Sequence, residues 1–209
     1  LSKSYMNLDV TYNYAADRLA AKNPVEIAGN AGAEYDPEKG IFRLKYLGDD
    51  YIVSYPGGEV NFAAQRDEEP SLTVKILILH YLITANGVPM QNKHISFKEL
   101  PDGAIYIEPF TRRAVKPMLK IFGGNPEELV RVAKEMGGLP QDLGDISVTI
   151  FPFPRVPITY VIWAGDDEFP ASGNILFDAS APYYLPTEDY ALLSGLLVYQ
   201  MGDISQKKQ

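Results

Sequence analysis

"IFRLKYLGDDYIVSYPGGEV", residues 41–60, alternates apolar and polar side chains on both sides of Leu47-Gly48-Asp49-Asp50. Successive side chains of a strand point to opposite faces, so this period of two marks strands with one buried face, and the Gly/Asp break between them marks a β-hairpin. A hairpin is antiparallel by construction. Pro56-Gly57-Gly58 supplies a second turn. Working outward, the remaining segments do not alternate as strand, helix, strand. The expectation is therefore an α+β fold, an antiparallel β-sheet with helices packed on one side, as a single domain over residues 1–209.

Upstream, Val10, Tyr14 and Leu19 among Ala15, Ala16, Ala20 and Ala21 predict a helix over 8–22 that stops at Asn23-Pro24, followed by a Gly/Ala-rich gap. Downstream, Ser71 is the N-cap expected for a helix running to about Ala85 and closed by Asn86-Gly87. Its apolar residues lie on nearly every side, which makes it a buried helix. "ISFKELPDGAIYIEPF", residues 95–110, contains a Pro-Asp-Gly turn and leads to a short helix over 114–122. Asn125 caps the next helix, with Pro126 in its first position, Glu128 closing a capping box, Gly137-Gly138 ending it, and Leu129, Val132, Ala133 and Met136 inward. Strands are expected over 146–151 and 158–163, with Pro152, Pro154 and Pro157 confining that corner to an edge or a turn. Thr187, followed by Glu188 and Asp189, opens a C-terminal helix with Leu192, Leu193, Leu196 and Leu197 inward, fraying near Ser205 into the polar tail 203–209.

Nineteen basic against twenty-seven acidic residues give a net charge of -8, which repels phosphate backbones and argues against nucleic acid as a partner. No apolar run is long enough to span a bilayer, and residues 1–8 lack a signal-peptide pattern, so a soluble, cytoplasmic protein is expected. The chain has no cysteine, which excludes disulfides, thiolate zinc, iron–sulfur ligation and Cys nucleophiles within it. Neither GxGxxG, the P-loop pattern nor GxSxG occurs. Only His80 and His94 supply imidazoles. At 100° per residue, Thr73, His80 and Thr84 form a narrow polar stripe on the apolar 71–85 helix. That stripe is either a core histidine bonded to a backbone carbonyl or a neighbouring hydroxyl, or a ligand or acid/base group lining a cavity. His94, in "VPMQNKHIS", reads as a surface residue. Asp166, Asp167 and Glu168 read as a solvated turn, because three adjacent carboxylates do not readily converge on one cation and the spaced pattern of a calcium loop is missing. Trp163, just before them, reads as core, its indole N–H served by one of the acids. Fourteen tyrosines, including Tyr183-Tyr184, suit a core or an interface equally.

"LHYLITANG" (79–87), "ISFKELPDG" (95–103), "FPFPRVPITYVIWAGDDEFPASGNILFDASAPYYLPTED" (151–189) and the Leu-rich C-terminal helix resemble the domain of unknown function 3786 family over about residues 8–200. The resemblance implies a setting in anaerobes, beside corrinoid and one-carbon enzymes and iron–sulfur segments. It brings no catalytic or metal-binding residues with it, and any cluster would lie outside this cysteine-free chain. The function it implies is a non-enzymatic module that binds a corrinoid (cobalamin or cobinamide) or similar large cofactor, or docks on proteins carrying it. His80 would be an axial ligand beside Thr84, with Trp163, Tyr183 and Tyr184 covering the macrocycle. The Asp-x-His-x-x-Gly pattern of familiar corrinoid domains is absent, so another architecture would be needed. Two alternatives are a cofactor-free protein-interaction domain and a hydrolase or transferase pairing Asp166, Asp167 or Glu168 with His80. Asp178 is a further acid for such chemistry.

Overall fold

Alternation at 41–60 becomes, in the computed structural model of the chain, the centre of a four-stranded antiparallel sheet; residues 8–207 are described. The strands are β1 (Glu34–Asp36), β2 (Ile41–Tyr46), β3 (Asp49–Ser54) and β4 (Val60–Phe62), in that order. The β2–β3 register closes on Tyr46↔Asp49 around a two-residue turn, Leu47-Gly48, with φ of 50° and 87°. Two positive φ values match the twist of a tight hairpin, and only the second falls on the residue type that adopts them freely. Tyr12 donates to the Gly58 carbonyl at 2.9 Å. A Cβ on Gly58 would come within 2.8 Å of the Ala16 Cβ, so glycine is needed for that approach.

The chain divides into two compact units. The first comprises residues through Pro89 together with Pro152–Arg155 and Tyr183–Leu185. Its helices are α1 (Leu8–Ala20), α2 (Pro24–Ala31) and α3 (Leu72–Thr84). The predicted Ser71 cap forms, its hydroxyl accepting from the Val74 N–H at 3.3 Å. Ile76 to Leu79 and Tyr81 to Ile83 are buried, as expected of a helix apolar on nearly every side. Tyr81 stacks on Phe153 at 4.2 Å and donates to the Ala31 carbonyl at 2.6 Å, and its burial raises the phenol's pKa.

The second unit holds a five-stranded antiparallel sheet ordered β5-β9-β8-β7-β6: β5 (His94–Ser96), β6 (Leu139–Gln141), β7 (Ile146–Phe153), β8 (Val156–Trp163) and β9 (Ser172–Asp178). A helical run crosses one face: α4 (Gly103–Phe110), a π-helical segment (Thr111–Val115) and α5 (Lys116–Phe122). With it go α6 (Glu127–Glu135) and α7 (Thr187–Gln206). Ile158↔Phe177, Tyr160↔Ile175 and Ile162↔Gly173 put one set of side chains on the helical face. There Tyr160 donates to the Ser194 carbonyl of α7 at 3.0 Å. A Cβ on Gly173 would sit 2.6 Å from the tip of Met118, so α5 crosses β9 where a side chain is missing.

Several expectations are corrected. The Gly/Ala gap contains α2: Asn23-Pro24 ends α1 and also starts a second helix, with the Asn23 side chain accepting from the Val25 N–H at 2.9 Å and Pro24 in the first turn. The 114–122 helix is the second half of a run that begins at Gly103, where a Cβ would lie 1.9 Å from the Phe97 carbonyl oxygen. The capping box at 125–128 does not form; Glu128 instead accepts from Arg131 and from Ser205, each at 2.8 Å. The strands run further into the Pro-rich corner than expected, β7 through Phe153 and β8 from Val156, and the corner itself is the turn expected there, at Pro154-Arg155. Helix α7 continues through Ser205, buried and bonded to Glu128, rather than fraying there. Residues 1–7, read for a signal peptide, and 208–209 of the polar tail lie outside the described residues.

Candidate functional site

Alternation in β7 and β8 sends Thr149, Phe151, Pro157 and Thr159 to the sheet face opposite the helices. There they line a cavity of about 270 Å³ with Met90, Asn92, His94, Gln141 and Asp178. Each of the five strands contributes to its wall. Thr149 Oγ1 and Thr159 Oγ1 are 2.7 Å apart and buried, and His94 Nε2 lies 3.5 Å from Thr159 Oγ1. His94 pairs directly with Asp178 across β5 and β9. The row thus runs from a carboxylate through an exposed imidazole to two buried hydroxyls.

The Asp178 carboxylate is already occupied. Its Oδ1 accepts from the Gln91 and Ser180 N–H groups at 2.9 Å each, and its Oδ2 from the Lys93 N–H at 3.3 Å. Burial raises the carboxyl's pKa, but the Ser180 hydroxyl beside it, though outside good hydrogen-bond geometry, and these three backbone N–H groups outweigh burial and hold it below the usual aspartate value. A carboxylate held low and saturated by backbone donors stays ionised at neutral pH and is a poor proton shuttle. Its work here is structural: with the Ala179 N–H donating to the Lys93 carbonyl at 2.8 Å, it fixes the 90–93 loop that carries Met90 and Asn92 into the cavity rim. Asn92 itself holds φ at 53°.

The sequence-predicted residues sit elsewhere. His80 and Thr84 are half-buried on α3, His80 interacting with a neighbour, and a cavity of about 310 Å³ beside that helix takes Leu82 from it and Ala85 from just past its end. Tyr184 is wholly buried, donating to the Val88 carbonyl with its ring 6.2 Å from that of Tyr81, so it presents no face to a ligand. Tyr183 and Trp163 are each 43% exposed. Trp163 ends β8, and the acid bonded to the backbone after it is Asp145, which accepts from the Ala164 N–H at 2.8 Å. Asp166 accepts from the Glu168 and Phe169 N–H groups at 2.9 and 2.7 Å, the self-closed turn expected of that acidic run. Among the described residues, no group of three or more His, Asp or Glu side chains could hold a metal ion, and no helix is long and apolar enough to cross a membrane.

His94, exposed as its polar surroundings in the sequence imply, is nonetheless the functional candidate of this cavity, with Thr149, Thr159, Asn92 and Gln141, none of which local sequence pattern marks as a site. One signal was present: Thr-x-Phe before the Pro-rich corner and Pro-x-Thr after it mirror each other about the turn, which brings the two threonines together if the corner is a hairpin. A family model described as "Domain of unknown function (DUF3786)" matches residues 23–200. No curated protein and no solved structure matches the chain.

Proposed function

The chain belongs to the domain of unknown function 3786 family, and on that premise we propose that it is a non-enzymatic binding module whose ligand, a corrinoid, is met at His94. The observation that carries this reading is the imidazole's setting. Nε2 lies at a long 3.5 Å from Thr159 Oγ1, and in the tautomer that donates from Nε2 the ring keeps its lone pair on Nδ1. A ring nitrogen oriented by a hydrogen bond at its opposite nitrogen is the usual arrangement of a metal-ligating histidine. The Thr149 and Thr159 pair continues the chain behind it. Binding is favoured over acid–base catalysis because the carboxylate paired with His94 is fully engaged in holding the loop.

At about 270 Å³ the cavity is below the usual range of ligand pockets and does not enclose a macrocycle. It suits a polar substituent, and Asn92, Gln141 and the threonines match the amide side chains that fringe a corrin ring. His94 would ligate the metal, and the residues around it would orient the ring's edge. The corrinoid identity rests on the family resemblance, and the site's own contribution is the oriented imidazole.

The test is to incubate the protein with hydroxocobalamin and with cobinamide, desalt it, and record its spectrum. Wild type and H80A should retain colour with the shift of imidazole ligation, and H94A should lose it. An uncoloured wild type rejects the corrinoid. Colour lost in H80A and kept in H94A returns the ligand to α3.

A further inference from the structure

Helix α7 and the 111–122 run enclose a second, unrelated feature of the same unit. Arg112, Lys116, Pro117, Lys120 and Ile121 face Tyr199, Gly202, Asp203 and Gln206 across a groove of about 390 Å³. A smaller recess of about 200 Å³ continues it past Arg112 and Tyr199 to Arg113 and Gly195. The groove exists because two glycines of α7 carry no side chain where the helices approach: a Cβ on Gly195 would lie 2.8 Å from the Arg113 carbonyl oxygen, and one on Gly202 3.0 Å from the Ile121 Cδ1. Its floor is largely apolar, Tyr199 is 57% exposed within it, and Arg112, Arg113, Lys116 and Lys120 are exposed along its rim, with Asp203 the acid at one end. In a chain of net charge -8, four cations around one groove are a local reversal of sign. Arg112 and Arg113 lie in the π-helical segment, a distortion that frequently accompanies function.

The complement of this groove is on the same surface chemistry, inverted. The loop between β8 and β9 carries Asp166, Asp167 and Glu168 next to Phe169, which is 67% exposed. The loop is pre-formed: Asp166 accepts from two following N–H groups, its own N–H donates to the Phe169 carbonyl at 2.9 Å, and a Cβ on Gly165 would strike the Ala171 nitrogen at 2.6 Å. A rigid aromatic tip flanked by three carboxylates is what an apolar floor with a cationic rim recognises. We propose that the groove receives the Asp166–Phe169 loop of a second copy of this chain. Phe169 would anchor against Tyr199, Ile121 and Pro117, and the acids would meet Arg112, Lys116 and Lys120. A ring packed on Tyr199 loses little rotamer entropy, and the charge pairs set orientation and partner more than affinity.

Sedimentation of the full chain over a concentration series, at low and high salt, tests this. Wild type should self-associate with concentration, and salt should weaken the association. F169A, D167K/E168K and K116E/K120E should each associate at least roughly tenfold more weakly, the loss expected for an anchor or its paired charges. All five substituted positions are exposed, and unchanged circular dichroism verifies that each variant is folded. Mixing D167K/E168K with K116E/K120E should restore association, because one copy keeps the native loop and the other the native groove. A wild type monomeric at every concentration overturns the proposal. So does association that either the loop or the groove variants leave unchanged, or a mixture that stays monomeric.

Discussion

Asp178 shows how one side chain shapes the site without taking part in its chemistry. Its folded-state pKa is lowered, so the bonds it accepts from Gln91, Ser180 and Lys93 contribute stability that is whole above the unfolded aspartate value and withdrawn as pH falls through the folded one. Asparagine in its place would set an amide N–H₂ against backbone donors, and a lost charged acceptor in a buried setting costs about 1–3 kcal/mol. D178N is therefore expected to be less stable than wild type by that amount at pH 7. The gap should narrow below about pH 4, where wild type protonates too. Urea denaturation of both proteins at neutral and acid pH measures it, and a gap equal at the two pH values would show that the loop is held by something else. Because Asn92 reaches the cavity on that loop, D178N should also weaken retention of the proposed ligand at His94 while leaving the imidazole in place.

Between elements, the closest approach of α7 to the 111–122 run gives a paired expectation. At Gly195 the obstacle to a Cβ is backbone, the Arg113 carbonyl oxygen, so G195A forces the helices apart and should cost about 1–3 kcal/mol. At Gly202 the obstacle is the tip of Ile121, which can turn aside, and alanine gains about 0.8–1.0 kcal/mol of helix propensity. G202A should thus fall within about 1 kcal/mol of wild type; equal costs at the two sites, by thermal or urea unfolding, would mean that backbone clash is not what sets them. Element scale also explains what the sequence made legible. The β2–β3 hairpin and the Ser71 cap were readable because each is decided by neighbours within a turn or two. Glu128 was misread because a remote partner, Ser205 on α7, and Arg131 one turn on take the carboxylate that the local capping pattern assigned to the backbone. His94 was missed for the same physical reason: its meaning depends on pairing β5 with β9, a long-range register that no local periodicity encodes.

At the scale of the whole molecule, the two units are not two stretches of chain. The first takes Phe153 from the β7–β8 corner and Tyr184 from the segment before α7, both far downstream of its own helices and sheet. Each is wholly or almost wholly buried there: Phe153 stacks on Tyr81 and lies 4.9 Å from the Tyr46 ring, and Tyr184 bonds the Val88 carbonyl. Removing a buried aromatic typically costs about 3–5 kcal/mol, and a domain holds only about 5–15 kcal/mol in total. A fragment ending at Pro89 retains β1–β4 and α1–α3 but neither ring, so it is expected to lose its fixed packing. It should show helical and strand signal in the far ultraviolet, none of the tyrosine signal in the near ultraviolet, dye binding to exposed apolar surface, and a broad melt. A sharp, cooperative transition with native near-ultraviolet dichroism would show instead that α3 and the four-stranded sheet close a core without Phe153 and Tyr184, and that those two rings cap this unit rather than complete it.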